Sequence, residues 1–97
     1  MSRPIYRVLT NLTQEHRLDV ALSLAMKDLI RLKLKETRER RGAFEQRYGM
    51  DFEVFKETWE ESRIADKHSY EVEHDYWEWE VTVTDEQRLL QMLESLP

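Results

Sequence analysis

Tyr76-Trp77-Glu78-Trp79-Glu80-Val81-Thr82-Val83-Thr84 is the stretch on which the fold turns, because it obeys two periodicities at once. Trp77, Trp79, Val81 and Val83 alternate with Glu78, Glu80, Thr82 and Thr84 as a half-buried strand does, and Thr84 with Gln87 then makes a capping box for a helix over 85–96. The same residues also extend a helical line through Val72, Tyr76, Trp79, Val83, Leu90 and Leu93. A strand here has at most one other strand candidate to pair with, and an isolated two-stranded ribbon is marginal in water. The spacing therefore favours one acidic, aromatic helix within 69–96, with a short strand near 76–84 as the alternative.

Working back along the chain, Ser69 is placed to cap that last segment, and Ile64 to His68 has no periodicity and reads as a connection. Phe52, Phe55 and Trp59 share one face of a short helix within 51–63, with Asp51 as its cap and Met50 and Phe55 spaced as a hydrophobic staple. Gly49 suits the left-handed terminus of whatever precedes it. That is a long helix over 13–48, for which Thr13 is the expected N-cap and Glu15 a first-turn carboxylate. Its apolar seam runs Leu18, Leu22, Ala25, Leu29, Leu32, and Val20, Leu24, Met26, Ile30 and Leu34 widen it around most of the circumference. A kink at Gly42 is the alternative to a straight rod. Residues 1–12, with Ile5, Val8, Leu9 and Leu12 behind Pro4, read as an extended arm.

The fold class that follows is mainly α, in one domain of 97 residues. The apolar girth from Leu18 to Leu34 exceeds what the shorter elements can cover, which predicts a helical dimer. Only two Gly and two Pro interrupt a chain that is 36% charged, as suits charge-flanked helices. With no cysteine, disulfides and thiolate metal sites are excluded. No apolar run is long enough to cross a bilayer, so the expected location is cytoplasmic.

Net charge divides sharply. Residues 1–48 carry eleven Lys/Arg against six Asp/Glu, whereas residues 49–97 carry four against fourteen. A basic half can lie along nucleic-acid phosphates, and an acidic half can occupy a cationic cleft on a basic protein. Either half can equally remain solvated or attract the other.

Candidates for chemistry are few. Arg63-Ile-Ala-Asp-Lys-His68-Ser-Tyr70 resembles the R-x-x-x-x-H-x-Y string of HEPN ribonuclease toxins, and the resemblance implies Arg63 and His68, from two subunits, acting on an RNA phosphodiester. An imidazole can act as acid or base near neutrality and a guanidinium can stabilise phosphate charge, but the string lies among acidic neighbours that repel phosphate. Two surface side chains are the better account. His68, His74 and Asp75 lack the convergent third and fourth partners of a zinc site, so no metal or cofactor is expected. There is no Gly-rich phosphate loop and no nucleophile–base pair, and the chain reads as a binding protein, not an enzyme.

Phe44-Glu-Gln-Arg-Tyr-Gly-Met-Asp-Phe-Glu-Val-Phe55, followed by Asp-Tyr-Trp-Glu-Trp at 75–79, resembles the C-terminal part of small prokaryotic antitoxin-like proteins over roughly residues 36–95. The resemblance implies an acidic helical module that covers a basic, RNA-directed toxin. Residues 1–35 depart from the DNA-binding versions, because no Gly-containing turn separates two helices there as a ribbon-helix-helix requires. The partner-binding residues expected on this reading are Leu18, Leu22, Leu29 and Leu32 on the long helix and Tyr76, Trp77, Glu78 and Glu80 on the last, with Trp77 pointing away from the core aromatics.

Overall fold

The computed structural model describes residues 2–97, and among them the elements are α1 (Arg3–Thr13), α2 (Leu18–Tyr48), α3 (Phe52–Glu60) and α4 (Tyr70–Ser95), with no strand. The fold is mainly α. α2 spans 31 residues without a break at Gly42, roughly 46 Å at about 1.5 Å per residue. It gives the molecule its elongated 57 × 22 × 20 Å extent.

Two boundaries follow the expected chemistry. Gly49 ends α2 at φ 67°, donating its N–H to the Glu45 carbonyl, and no neighbouring atom restricts a side chain there; the backbone conformation alone favours glycine. Asp51 then accepts from the Val54 N–H at 2.9 Å to start α3, and Ser69 accepts from the Val72 N–H at 3.3 Å to start α4.

The ambiguous stretch 76–84 is helix, and the strand is excluded. Thr84 caps nothing: its hydroxyl donates to the Glu80 carbonyl one turn back, as Thr82 donates to Glu78. The helical period wins because it turns Tyr76, Trp79 and Val83 onto one cluster, which strand alternation would have split between two faces.

The arm expected over residues 1–12 needs correction. Met1 lies outside the described residues, and from Arg3 the chain is helical. Pro4 falls in the first turn, where its fixed φ and missing N–H are accommodated, and Ile5, Val8, Leu9 and Leu12 are spaced i, i+3, i+4, i+7. Thr13 consequently ends α1, its hydroxyl donating to the Leu9 carbonyl, and does not cap α2. A left-handed Gln14 turns the chain, and α2 begins at Leu18 behind Arg17, whose side chain makes no cap bond.

α2 and α4 run antiparallel, as Tyr48 against Asp75 at one end and Ser23 against Pro97 at the other require. Two apolar clusters form along this line. Ile30, Leu34 and Leu89 build one, with Leu90, Leu93 and Leu96 against it. Phe52, Phe55 and Trp79 build the other, joined by Phe44, Tyr48, Trp59 and Tyr76. Trp79 is fully buried, with its ring 4.9 Å from that of Phe55 and stacked 5.5 Å from Phe44. Between the clusters lies a polar waist, where buried Thr37 and Thr82 satisfy their hydroxyls on their own helices and Arg41 meets Glu86.

Trp79→Ala should lose roughly 3–5 kcal/mol of stability, the range for emptying a buried aromatic site. Trp77→Ala, on the opposite side of α4, should stay within about 0.5 kcal/mol of the parent. Urea unfolding followed by circular dichroism checks both.

Candidate functional interface

α4 is a two-faced helix whose outer face carries more hydrophobic surface than its position in the fold requires. At about 100° per residue, Tyr70, His74, Trp77 and Val81 fall on one line, opposite Val72, Tyr76, Trp79 and Val83 in the core. Trp77 is 62% exposed, and Tyr70 and Val81 are also exposed. Tyr70 stacks on the His74 ring at 5.7 Å, which makes a small aromatic platform one turn before Trp77. Glu73, Glu78 and Glu80 flank this ridge. The acidic end is extensive: residues 45–80 carry four Lys/Arg against twelve Asp/Glu.

The residues expected to meet a partner are distributed as follows. Trp77 lies on the outer ridge and Glu78 and Glu80 at its margins, half-buried. Tyr76 is turned inward, its ring 4.9 Å from Trp59 and 5.7 Å from Phe52, so it anchors α4 and is not presented. On α2, α4 does not cover the Leu18–Leu32 seam. It covers the line Ile30, Leu34, Thr37, Arg41, Phe44 and Tyr48, which lies roughly 100° around the helix. Leu22 is half-buried, while Leu18, Leu29 and Leu32 remain exposed, the last two at 54% and 53%. α1, where an arm was expected, presents Ile5, Val8 and Leu12 to solvent as well.

Arg63 and His68 are both exposed, and each is engaged by a nearby carboxylate, Arg63 by Glu61 and His68 by Glu73 at 3.3 Å. Tyr70, the third member of that string, belongs to the ridge instead. His68 also lies edge-on to Trp59 at 6.5 Å. Among the described residues no three His, Asp or Glu side chains converge as metal ligands.

Behind the ridge is a cleft of about 510 Å³ lined by Arg47, Tyr48, Tyr70, Glu71, His74 and Asp75. Three of its polar groups, Arg47, Tyr48 and Asp75, are bonded to one another. Asp75, little exposed, accepts from the Tyr48 hydroxyl at 2.6 Å and from Arg47 at 2.8 Å. Burial pushes the Asp75 carboxyl up, but these two bonds and the guanidinium charge outweigh it and hold the group below the ordinary carboxylate value. Burial first, then the Asp75 hydrogen bond and charge, push the Tyr48 phenol up to about 12. The arrangement is a latch that joins the end of α2 to the start of α4 and orients the ridge.

With this geometry in place, the comparisons give a family: the chain belongs to the one described as Uncharacterized protein MJ0235 family, whose model matches residues 6–97. No curated protein and no solved structure matches it.

Asp75→Asn should cost about 1–2 kcal/mol at pH 7, the range for losing a charged acceptor whose partner Arg47 is half in water. Because the native carboxyl titrates below its unfolded value of about 3.9, this contribution is complete above that pH and disappears as the pH falls through the native value. The parent and Asp75→Asn should therefore converge in acid. At the other extreme the phenol titrates higher in the native state, so its contribution is complete below about pH 10 and is lost as the pH rises toward 12. Urea midpoints across pH, with Tyr48→Phe lacking the alkaline loss, check the assignment.

Proposed function

We propose that this chain is a non-catalytic adaptor of the antitoxin type, acting in the cytoplasm, that binds a basic, RNA-directed protein through the outer face of α4. The observation that carries the reading is Trp77, largely exposed on a rigid helix within a ridge bordered by carboxylates. A large aromatic exposed on a folded helix is an anchor for a partner pocket, and aromatic residues dominate the energetics of interface centres. The surrounding carboxylates steer a cationic surface toward that anchor. Placement on a helix latched by Asp75 limits the ordering entropy that binding must overcome.

The same charge pattern argues against action on RNA. A phosphodiester approaching Arg63 and His68 meets Glu61, Glu73 and the wider acidic end, and both side chains already face a carboxylate. The resemblance to antitoxin-like proteins supports the same assignment, since their acidic helices mask basic surfaces.

Affinity purification of the chain from its own host should retain a basic protein. Trp77→Ala should weaken that complex by 2 kcal/mol or more, about 30-fold, mainly through faster dissociation. Replacing Glu78 and Glu80 by Gln should slow association and flatten its salt dependence. Surface plasmon resonance separates the two rates. A complex indifferent to both changes, or RNA cleavage by the purified chain that both Arg63→Ala and His68→Ala abolish, would refute the proposal.

A further inference from the structure

The cleft behind the ridge holds acceptors that the latch leaves unused. Both bonds that Asp75 accepts, from Tyr48 and Arg47, go to its Oδ2, so Oδ1 has no donor from the chain. Glu71, exposed in the first turn of α4, lines the same cleft. Among the described residues no cation of the chain pairs with it: Arg47 is held by Asp75, and His74 lies 3.8 Å from Glu78. The Asp75 hydrogen bond pushes the Arg47 guanidinium up and the Glu71 charge adds to that push, as a carboxylate directed at this cleft should. Imidazole aside, the lining sets two carboxylates against one guanidinium, an excess of one negative charge.

Tyr70 supplies a wall of a different kind. His74 stacks on its ring at 5.7 Å, yet Tyr70 stays 79% exposed, so a second aromatic face is open to whatever enters. An aromatic face beside an uncompensated carboxylate attracts a cation. The cleft, about 510 Å³, falls within the roughly 300–1,000 Å³ of small-ligand sites, and it admits one long side chain but not a helix about 10–12 Å across.

We infer that the cleft receives an arginine side chain of the basic partner, its guanidinium held by Glu71 and Asp75 Oδ1 and stacked on Tyr70. The inference rests on the reading of the Trp77 ridge as the contact with that partner, and it supplies a second anchor beside the first. Tyr70 and His74 belong to ridge and cleft alike, and Trp77 stands two turns further along α4, roughly 10 Å at about 1.5 Å per residue. Arginine fits better than lysine, because a planar fork can face two carboxylates and lie flat on a ring where an ammonium presents a point charge. A phosphate fits worse still: Arg47 and Tyr48 already donate to Asp75, and Glu71 repels it.

The test titrates acetyl-Gly-Arg-Gly-amide into the full chain and follows the aromatic ring signals by NMR. Tyr70 and His74 should shift together along one saturating curve. The citrulline peptide, similar in shape but uncharged, should bind at least about tenfold more weakly, and the lysine peptide should fall between the two. Glu71→Gln, at an exposed position, should weaken the arginine peptide about tenfold, the loss of one charged hydrogen bond. Glu57→Gln, the same charge removed from the exposed side of α3, should change it by less than about twofold. Equal binding of citrulline and arginine, indifference to Glu71→Gln, or the same rings shifting with inorganic phosphate overturns the inference. The two readings separate: a basic partner held through Trp77 but indifferent to Glu71→Gln removes the arginine anchor and keeps the ridge. Absence of any basic partner, with the peptide titration as expected, removes the ridge reading and leaves the preference of the cleft for a guanidinium.

Discussion

A long helix with one lengthwise partner can bury only one line of its surface, and the organisation of this molecule depends on that constraint. α4 runs antiparallel to α2 from the Tyr48–Asp75 contact to the Ser23–Pro97 contact and covers the Ile30-to-Tyr48 line. α3 closes only the far end, packing Phe52 and Phe55 under Trp79. Apolar residues off that line stay in contact with water unless another molecule reaches them, except at the start of α2, where α1 packs and Ala21 is fully buried. Two such surfaces result, one on the outside of α4 and one across α1 and early α2.

Apolar clusters alone are a poor ruler for two long helices, because sliding one helix by a turn exchanges one leucine contact for another. The polar waist removes that freedom. Arg41 reaches Glu86 across the interface, and Asp75 takes both Tyr48 and Arg47, so a shift of one turn leaves little-exposed carboxylates without their partners. Such unpaired groups cost several kcal/mol, whereas the paired arrangement is nearly neutral against a hydrophobic alternative. These pairs therefore contribute to register more than to stability. Thr37 and Thr82 complement them, since each hydroxyl is satisfied within its own helix and makes no demand on the facing one.

Much of this architecture was legible in the sequence, and the parts that were not share a cause. The boundary at Gly49–Asp51 and the cap at Ser69 are local chemistry, and they stand where the residues predict. Trp79 inward and Trp77 outward follow from helical period once helix prevails over strand. α1 was not legible because Pro4 suits the start of an extended segment as well as the first turn of a helix, and Thr13 suits either end of a helix. Which face of α2 meets α4 was not legible for a subtler reason. Two interleaved apolar lines, Leu18-to-Leu32 and Ile30-to-Tyr48, lie about one residue apart in phase, and the sequence does not label which of them meets α4. The second line is carried by Thr37, Arg41, Phe44 and Tyr48, residues that a hydrophobicity count passes over. Asp75 was weighed as a metal ligand; its service as a latch depends on Tyr48, 27 positions away, and no local pattern announces it.

The separation of the two open surfaces bears on how they can act together. Electrostatic influence fades over about 8 Å at physiological ionic strength, a small fraction of the 57 Å length. A charge met at the acidic end therefore does not alter, through space, the energetics of any contact made at the α1 end. Any communication has to run through α2 and α4, which are held to each other at both ends and at the waist. A rod fixed at three points along its length transmits position well and has no evident second arrangement to switch into, and coupling between sites requires two such arrangements. The two surfaces are therefore expected to bind independently.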